Sequence, residues 1–185
     1  MNNTKNKFIS IVIFLFIIVL LVLWGNRVIY INGKNKVPEV IYYEGEDVII
    51  DFWKLELSES NIFSRSEFKD FFGVELDGES DDDALCIKLK VTAQKDNLQS
   101  NDFEIFYENG FQTLTWFQGV DPYLFVDINK EMIQKIIDTK EGNLWIVTNV
   151  PSKIVQEEDT YDYILSLFPK VLTIRTKVGK ENKMR

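Results

Sequence analysis

The chain has 185 residues, with 21 Lys and Arg against 29 Asp and Glu, one cysteine and no histidine. A lone cysteine excludes an internal disulfide and paired-thiolate zinc sites, and the missing histidine removes the commonest general base, metal ligand and near-neutral pH switch. All 29 acids follow residue 36, whereas Lys5, Lys7, Arg27, Lys34 and Lys36 precede Val37; the remainder therefore holds 16 bases against 29 acids, a net −13 that disfavours nucleic-acid binding.

From Phe8 to Trp24 the only polar side chain is Ser10, and fifteen of these seventeen residues are Ile, Leu, Val or Phe. A run apolar on every side lacks the polar stripe of a core helix. At roughly 0.4 kcal/mol per residue it favours a bilayer by about 6 kcal/mol, and its length of about 25 Å approaches a hydrocarbon core of roughly 30 Å. Lys7 and Arg27 can snorkel across the difference, and Trp24 stands where an interfacial aromatic would. The run ends without the small residues of a cleavage site, and Cys86 is too distant for lipid attachment. These features predict a short cytoplasmic tail at 1–7, an uncleaved transmembrane signal anchor at 8–25, a linker at 26–36 and an extracytoplasmic domain at 37–185.

Beyond Val37, apolar and polar residues alternate with the period of half-buried strands. Trp53, Leu55 and Leu57 alternate with Lys54, Glu56 and Ser58, and Leu85, Ile87, Leu89 and Val91 with Lys88 and Lys90. Further strands are predicted at Ile41–Tyr43, Phe103–Tyr107, Gln112–Phe117, Tyr123–Val126, Leu144–Thr148, Tyr161–Phe168 and Val171–Lys177. Turn residues Glu108–Gly110 and Phe168–Lys170 fit hairpins. Eight or nine such strands predict an antiparallel β-sandwich. Two helices interrupt it. In SRSEFKDFFG, Ser64 and Glu67 have capping-box spacing, Phe68, Phe71 and Phe72 share a face, and Gly73 closes the end, a helix expected to plug one open end of the sandwich. In NKEMIQKIIDTKEGN, Met132, Ile133, Ile136 and Ile137 follow an expected Asn129 cap.

The leader helix, PEVIYYEGEDVII, LELSESNIFSRSEFKDFFG, ALCIKLKVT and YDYILSLFPKVLTIRTK together resemble uncharacterised single-pass surface proteins of Gram-positive bacteria, a domain of unknown function similar to telokin-like, immunoglobulin-like modules. The resemblance covers most of the chain. It implies a mainly β protein: an immunoglobulin-like antiparallel β-sandwich ectodomain with one or two short helices, preceded by a single N-terminal transmembrane helix. It implies no catalytic residues. It departs at INKEMIQKIIDTKEGN, where the family pattern has a shorter strand connection, and leaves the sheet order over 123–148 open.

Several stretches could carry chemistry. Ser66 and Lys69 have the S-x-x-K spacing of penicillin-recognising enzymes but lack the companion S-D-N and K-T-G motifs, so a capped helix start is the expected role. Asp77, Glu79, Asp81, Asp82 and Asp83 supply oxygen ligands for calcium, yet the EF-hand pattern fails at Asp82 and Lys88, which points to a solvated loop. Cys86 falls on the strand face opposite Leu85, Ile87 and Leu89, an expected spectator. Trp53, Trp116, Phe117 and Trp145 could line a sugar-binding face, though core packing is their commoner role. No catalytic, metal-binding or cofactor-binding residue is assigned, and no cofactor is expected. The expected function is a non-enzymatic, membrane-anchored module that binds an envelope protein or ligand. The alternatives are an immunity or accessory protein that blocks a toxin or modulates a membrane complex, and a carboxylate-based wall hydrolase.

Overall fold

Pro38 opens the second of two units, Met1–Val37 and Pro38–Arg185, into which the computed structural model divides. The structure describes residues 14, 16–28, 30, 37–78, 81–166 and 170–178. In the first unit residues 16–28 are helical and the apolar side chains from Phe16 to Trp24 are exposed. Among the described residues no helix is long and apolar enough to cross a membrane. The expected anchor at 8–25 begins in residues that lie outside this description, as does most of the expected 26–36 linker.

The second unit runs β1 (Glu39–Tyr43), β2 (Asp47–Ile50), β3 (Trp53–Phe63), α1 (Arg65–Phe72), β4 (Asp82–Ala93), a 3-10 helix η1 (Ser100–Phe106), β5 (Gly110–Gln112), β6 (Phe117–Gly119), α2 (Pro122–Thr139), β7 (Glu141–Pro151), α3 (Ser152–Glu157), β8 (Thr160–Ser166) and β9 (Val171–Lys177). One sheet has the order β1-β9-β8-β5-β6 and the other β2-β3-β4-β7. This is a mainly β, two-sheet sandwich with a few helices. Pairing is antiparallel except between β1 and β9, which are parallel, a departure from the purely antiparallel expectation. Asp162 and Arg175 are register partners on β8 and β9, and the guanidinium grips the carboxylate through two 2.7 Å hydrogen bonds.

The main core lies between the sheets. Leu55, Leu57, Leu85, Ile87, Leu89 and Leu144 face Phe111, Tyr161, Tyr163 and Ile174. A register shift between Leu57 and Glu59 reverses the alternation of β3, so Trp53, Leu55 and Leu57 point inward before it and Ile62 after it. Phe63 consequently turns to the outer face.

Five further sequence expectations are corrected. The predicted strand Phe103–Tyr107 is η1: Asp102 accepts from the Gln99 N–H at 2.8 Å, and Phe103 and Phe106, one three-residue turn apart, pack against Trp53. The predicted strand Gln112–Phe117 is the tip of the β5–β6 hairpin. Tyr123–Val126 is the first turn of α2, because the Asp121 carboxylate accepts from the Tyr123 and Leu124 N–H groups and Pro122 is pre-set for the helix start. The helix is therefore 18 residues long, and Asn129 is a buried residue inside it with no capping role. Finally, α1 does not plug an end of the sandwich. It lies on the outer face of β3, β4 and β7.

Asn129 ties α2 to the edge of β7. Its Oδ1 accepts from Trp145 N–H at 2.8 Å, and its Nδ2 donates to Trp145 O at 2.7 Å and to Phe125 O at 2.9 Å. The side-chain amide thus completes the edge of β7, which pairs with β4 on its other side, and so blunts a strand edge. Gly142 permits the close approach, since a Cβ there would meet Ile136 Cγ1 at 2.6 Å.

Candidate functional site

Local sequence rules place α1. Ser64 is its N-cap: the Ser64 Oγ accepts from Glu67 N–H and the Glu67 carboxylate accepts from Ser64 N–H, completing the capping box the spacing predicts. Gly73, at φ 72°, ends the helix in the left-handed conformation. Phe68 is fully buried on the outer sheet face with Leu76, Ala84, Cys86 and Val147. Cys86 is on the face the alternation predicts, and its burial pushes the thiol well above the usual cysteine range. It is a packed hydrophobe with no thiolate to offer.

Around Phe68 the outer face carries an aromatic cluster. Phe63 and Phe71 stack with centroids 5.4 Å apart, Phe72 lies 4.8 Å from Phe71, and Trp145 meets Phe71 and Phe72 edge-on at 5.8 and 5.4 Å. The Lys88 ammonium stands 5.3 Å from the Trp145 ring. Phe72 and Trp145 are half-buried, but Phe71 is 59% exposed. Phe63, Phe71, Glu67 and Asp70 line a shallow depression of about 340 Å³. A ring presents its negative face to a cation, and two carboxylates at the rim hold the same charge preference. The depression is suited to a basic side chain whose aliphatic stem lies on the phenylalanines.

The other sequence candidates disperse. Lys69 pairs with Glu75 at 2.6 Å, a contact that raises its pKa, and more tightly held protons are the wrong direction for a base acting on Ser66. Asp82 and Asp83 open β4 opposite Pro151 and Val150, and Glu79 lies outside the described residues. Burial raises the Asp83 carboxyl, which accepts from Ser152 Oγ at 3.3 Å. Among the described residues no group of three His, Cys, Asp or Glu side chains could hold a metal. Of the four aromatics proposed for a sugar face, Trp53 is in the core, Trp116 and Phe117 are on the β5–β6 hairpin, and Trp145 is in the α1 cluster.

The depression also includes Phe63 and Asp70, which the sequence expectations do not name. Phe63 immediately precedes the N-cap, five residues before Phe68, which is hydrophobic-staple spacing and was the readable signal. Asp70 gives no such signal.

Fold and site together define an acidic two-sheet β-sandwich carrying an aromatic, carboxylate-rimmed depression on one outer face. No protein-family model matches the chain, and no curated protein matches it. Among solved structures it is similar to an uncharacterised β-sandwich protein from Clostridium difficile 630, at 10% identity and a TM-score of 0.45, over 77% of this chain and 97% of that one.

Proposed function

We propose that the protein is a membrane-anchored, non-enzymatic binding module of the bacterial cell envelope, in which Pro38–Arg185 works outside the membrane and receives a basic protein segment at the α1 depression. The observation that carries this is Phe71, 59% exposed beside Glu67 and Asp70 in a domain of net charge −13. Exposed charge attracts a basic partner over about one Debye length, and the ring pair supplies short-range contact. The anchor is the apolar run of Phe8–Trp24.

The connectivity supports the immunoglobulin-like form of the sandwich. The path β4 to β5, β6 to β7 and β7 to β8 changes sheets at each step, and β1 runs parallel to the last strand. In this proposal α2 occupies the position of an edge strand beside β7.

Capture from envelope extracts with wild type, Asp70→Asn and Phe71→Ala at low and high salt tests the module. Wild type should retain a partner that high salt and either substitution releases. Retention indifferent to all three would remove the depression from the account, and turnover of wall fragments by the purified domain would remove the non-enzymatic proposal.

A further inference from the structure

From Asn109 to Val120 the chain carries no charged residue, between Glu108 and Asp121 in an otherwise strongly acidic domain. This stretch contains the β5–β6 hairpin. Its root is fixed: Phe111 is fully buried 5.1 Å from Tyr163, and Val120 is buried in the same core. The strands approach so closely that a Cβ on Gly110 would stand 2.2 Å from the Gln118 carbonyl oxygen. At the tip, Leu114 is 96% exposed and Phe117 60% exposed, while Trp116 leans partly onto the core. Two backbone N–H groups of the tip are bonded within it. Thr113 N–H donates to Trp116 O at 2.8 Å, and Thr115 N–H donates to Thr113 Oγ1 at 3.3 Å.

An exposed leucine and phenylalanine on an uncharged hairpin with a packed root are costly in water, and the two internally bonded N–H groups lower the cost of leaving it. The surrounding acids oppose contact with an anionic surface, but the hairpin presents none of them. We propose that the tip of the β5–β6 hairpin is a lipid-contact site, with Leu114 and Phe117 entering the interface of the bilayer. This rests on the membrane-anchored proposal above. On an insertion scale two such side chains shift an equilibrium by on the order of fivefold. That is too little to recruit a free domain and enough to orient one already tethered at high effective concentration.

The test uses the whole chain in phosphatidylcholine vesicles, with an environment-sensitive fluorophore on Leu114→Cys or, as a control, on Ile49→Cys, which is exposed on β2. Buried Cys86 escapes labelling. Flotation reports the anchor and quenching by brominated acyl chains reports the tip. Expected are flotation of both proteins, a blue shift and quenching at position 114 alone, and a severalfold loss of that quenching when Phe117→Asp is added. Flotation with no more quenching at 114 than at 49 would overturn the lipid contact and leave the anchor standing. A blue shift without quenching would mark a protein contact and overturn it too. Failure to float would bring down the anchored proposal and this inference together.

Discussion

Replacing Asn129 by alanine removes the group that closes the β7 edge. The Trp145 N–H and C=O then lose partners at 2.8 and 2.7 Å inside a covered interface, whereas Phe125 O remains within the helix ladder. Two orphaned backbone groups at roughly 1–3 kcal/mol each, partly relieved by relaxation, give a loss of about 2–4 kcal/mol. For a domain of this size that lowers Tm by about 5–15 °C. The assay is thermal and urea unfolding of the polypeptide 37–185, whose core is self-contained, followed by circular dichroism. Asn129→Asp adds a pH signature. Burial against two carbonyls raises that carboxyl above its unfolded value, so the ionisation penalty is absent below about pH 3.9 and grows as pH rises through the raised folded value. Asn129→Asp should therefore lag wild type most at pH 7 and least in acid. A loss below about 0.5 kcal/mol for Asn129→Ala would refute the edge-closing role.

Gly110→Ala should destabilise the hairpin by about 1–3 kcal/mol, since its Cβ collides with the Gln118 backbone; hydrogen exchange confined to β5 and β6 would register it. Cys86 should resist thiol reagents in the folded domain and react fully in denaturant; fast labelling of the native protein would contradict its burial under α1. The Lys95 ammonium at 2.6 Å and the Gln99 N–H hold the Asp102 carboxyl below its ordinary range. A depressed pKa contributes stability above about pH 3.9 that is lost as pH falls through the lower folded value. Asp102→Asn should thus be less stable than wild type at pH 7 and converge with it in acid, as unfolding at a series of pH values would reveal.

Strands β3 and β4 were legible from their alternating runs and β7, β8 and β9 from short runs rich in apolar and β-branched or aromatic residues, and Val171–Lys177 matches β9 at both ends. Capping signals made α1 legible to the residue. Helix α2 is obscured at its start because Tyr123, Leu124, Phe125 and Val126 have the composition of a strand, although the Asp121–Pro122 pair before them is a helix-start signal. Strand β2 is four residues long with only Val48 buried, too short for a periodic signal. The site was half readable: the phenylalanine face of α1 follows from helical spacing and Phe63 from staple spacing ahead of Ser64, but neither the irregularity after Leu57 that turns Phe63 outward nor the place of Asp70 has a local signal. Nor does alternation reveal that Asn129 would serve as a strand partner.

Photocrosslinking in intact cells from a benzoylphenylalanine at position 71, with position 49 as the exposed control, reads out what sits on the α1 depression. A product is expected at 71 and none at 49, abolished by Asp70→Asn, in which mass spectrometry places the crosslink in a Lys- or Arg-rich segment of an envelope protein. Equal products from both positions, or a crosslinked segment without basic residues, would refute binding of a basic segment at the depression.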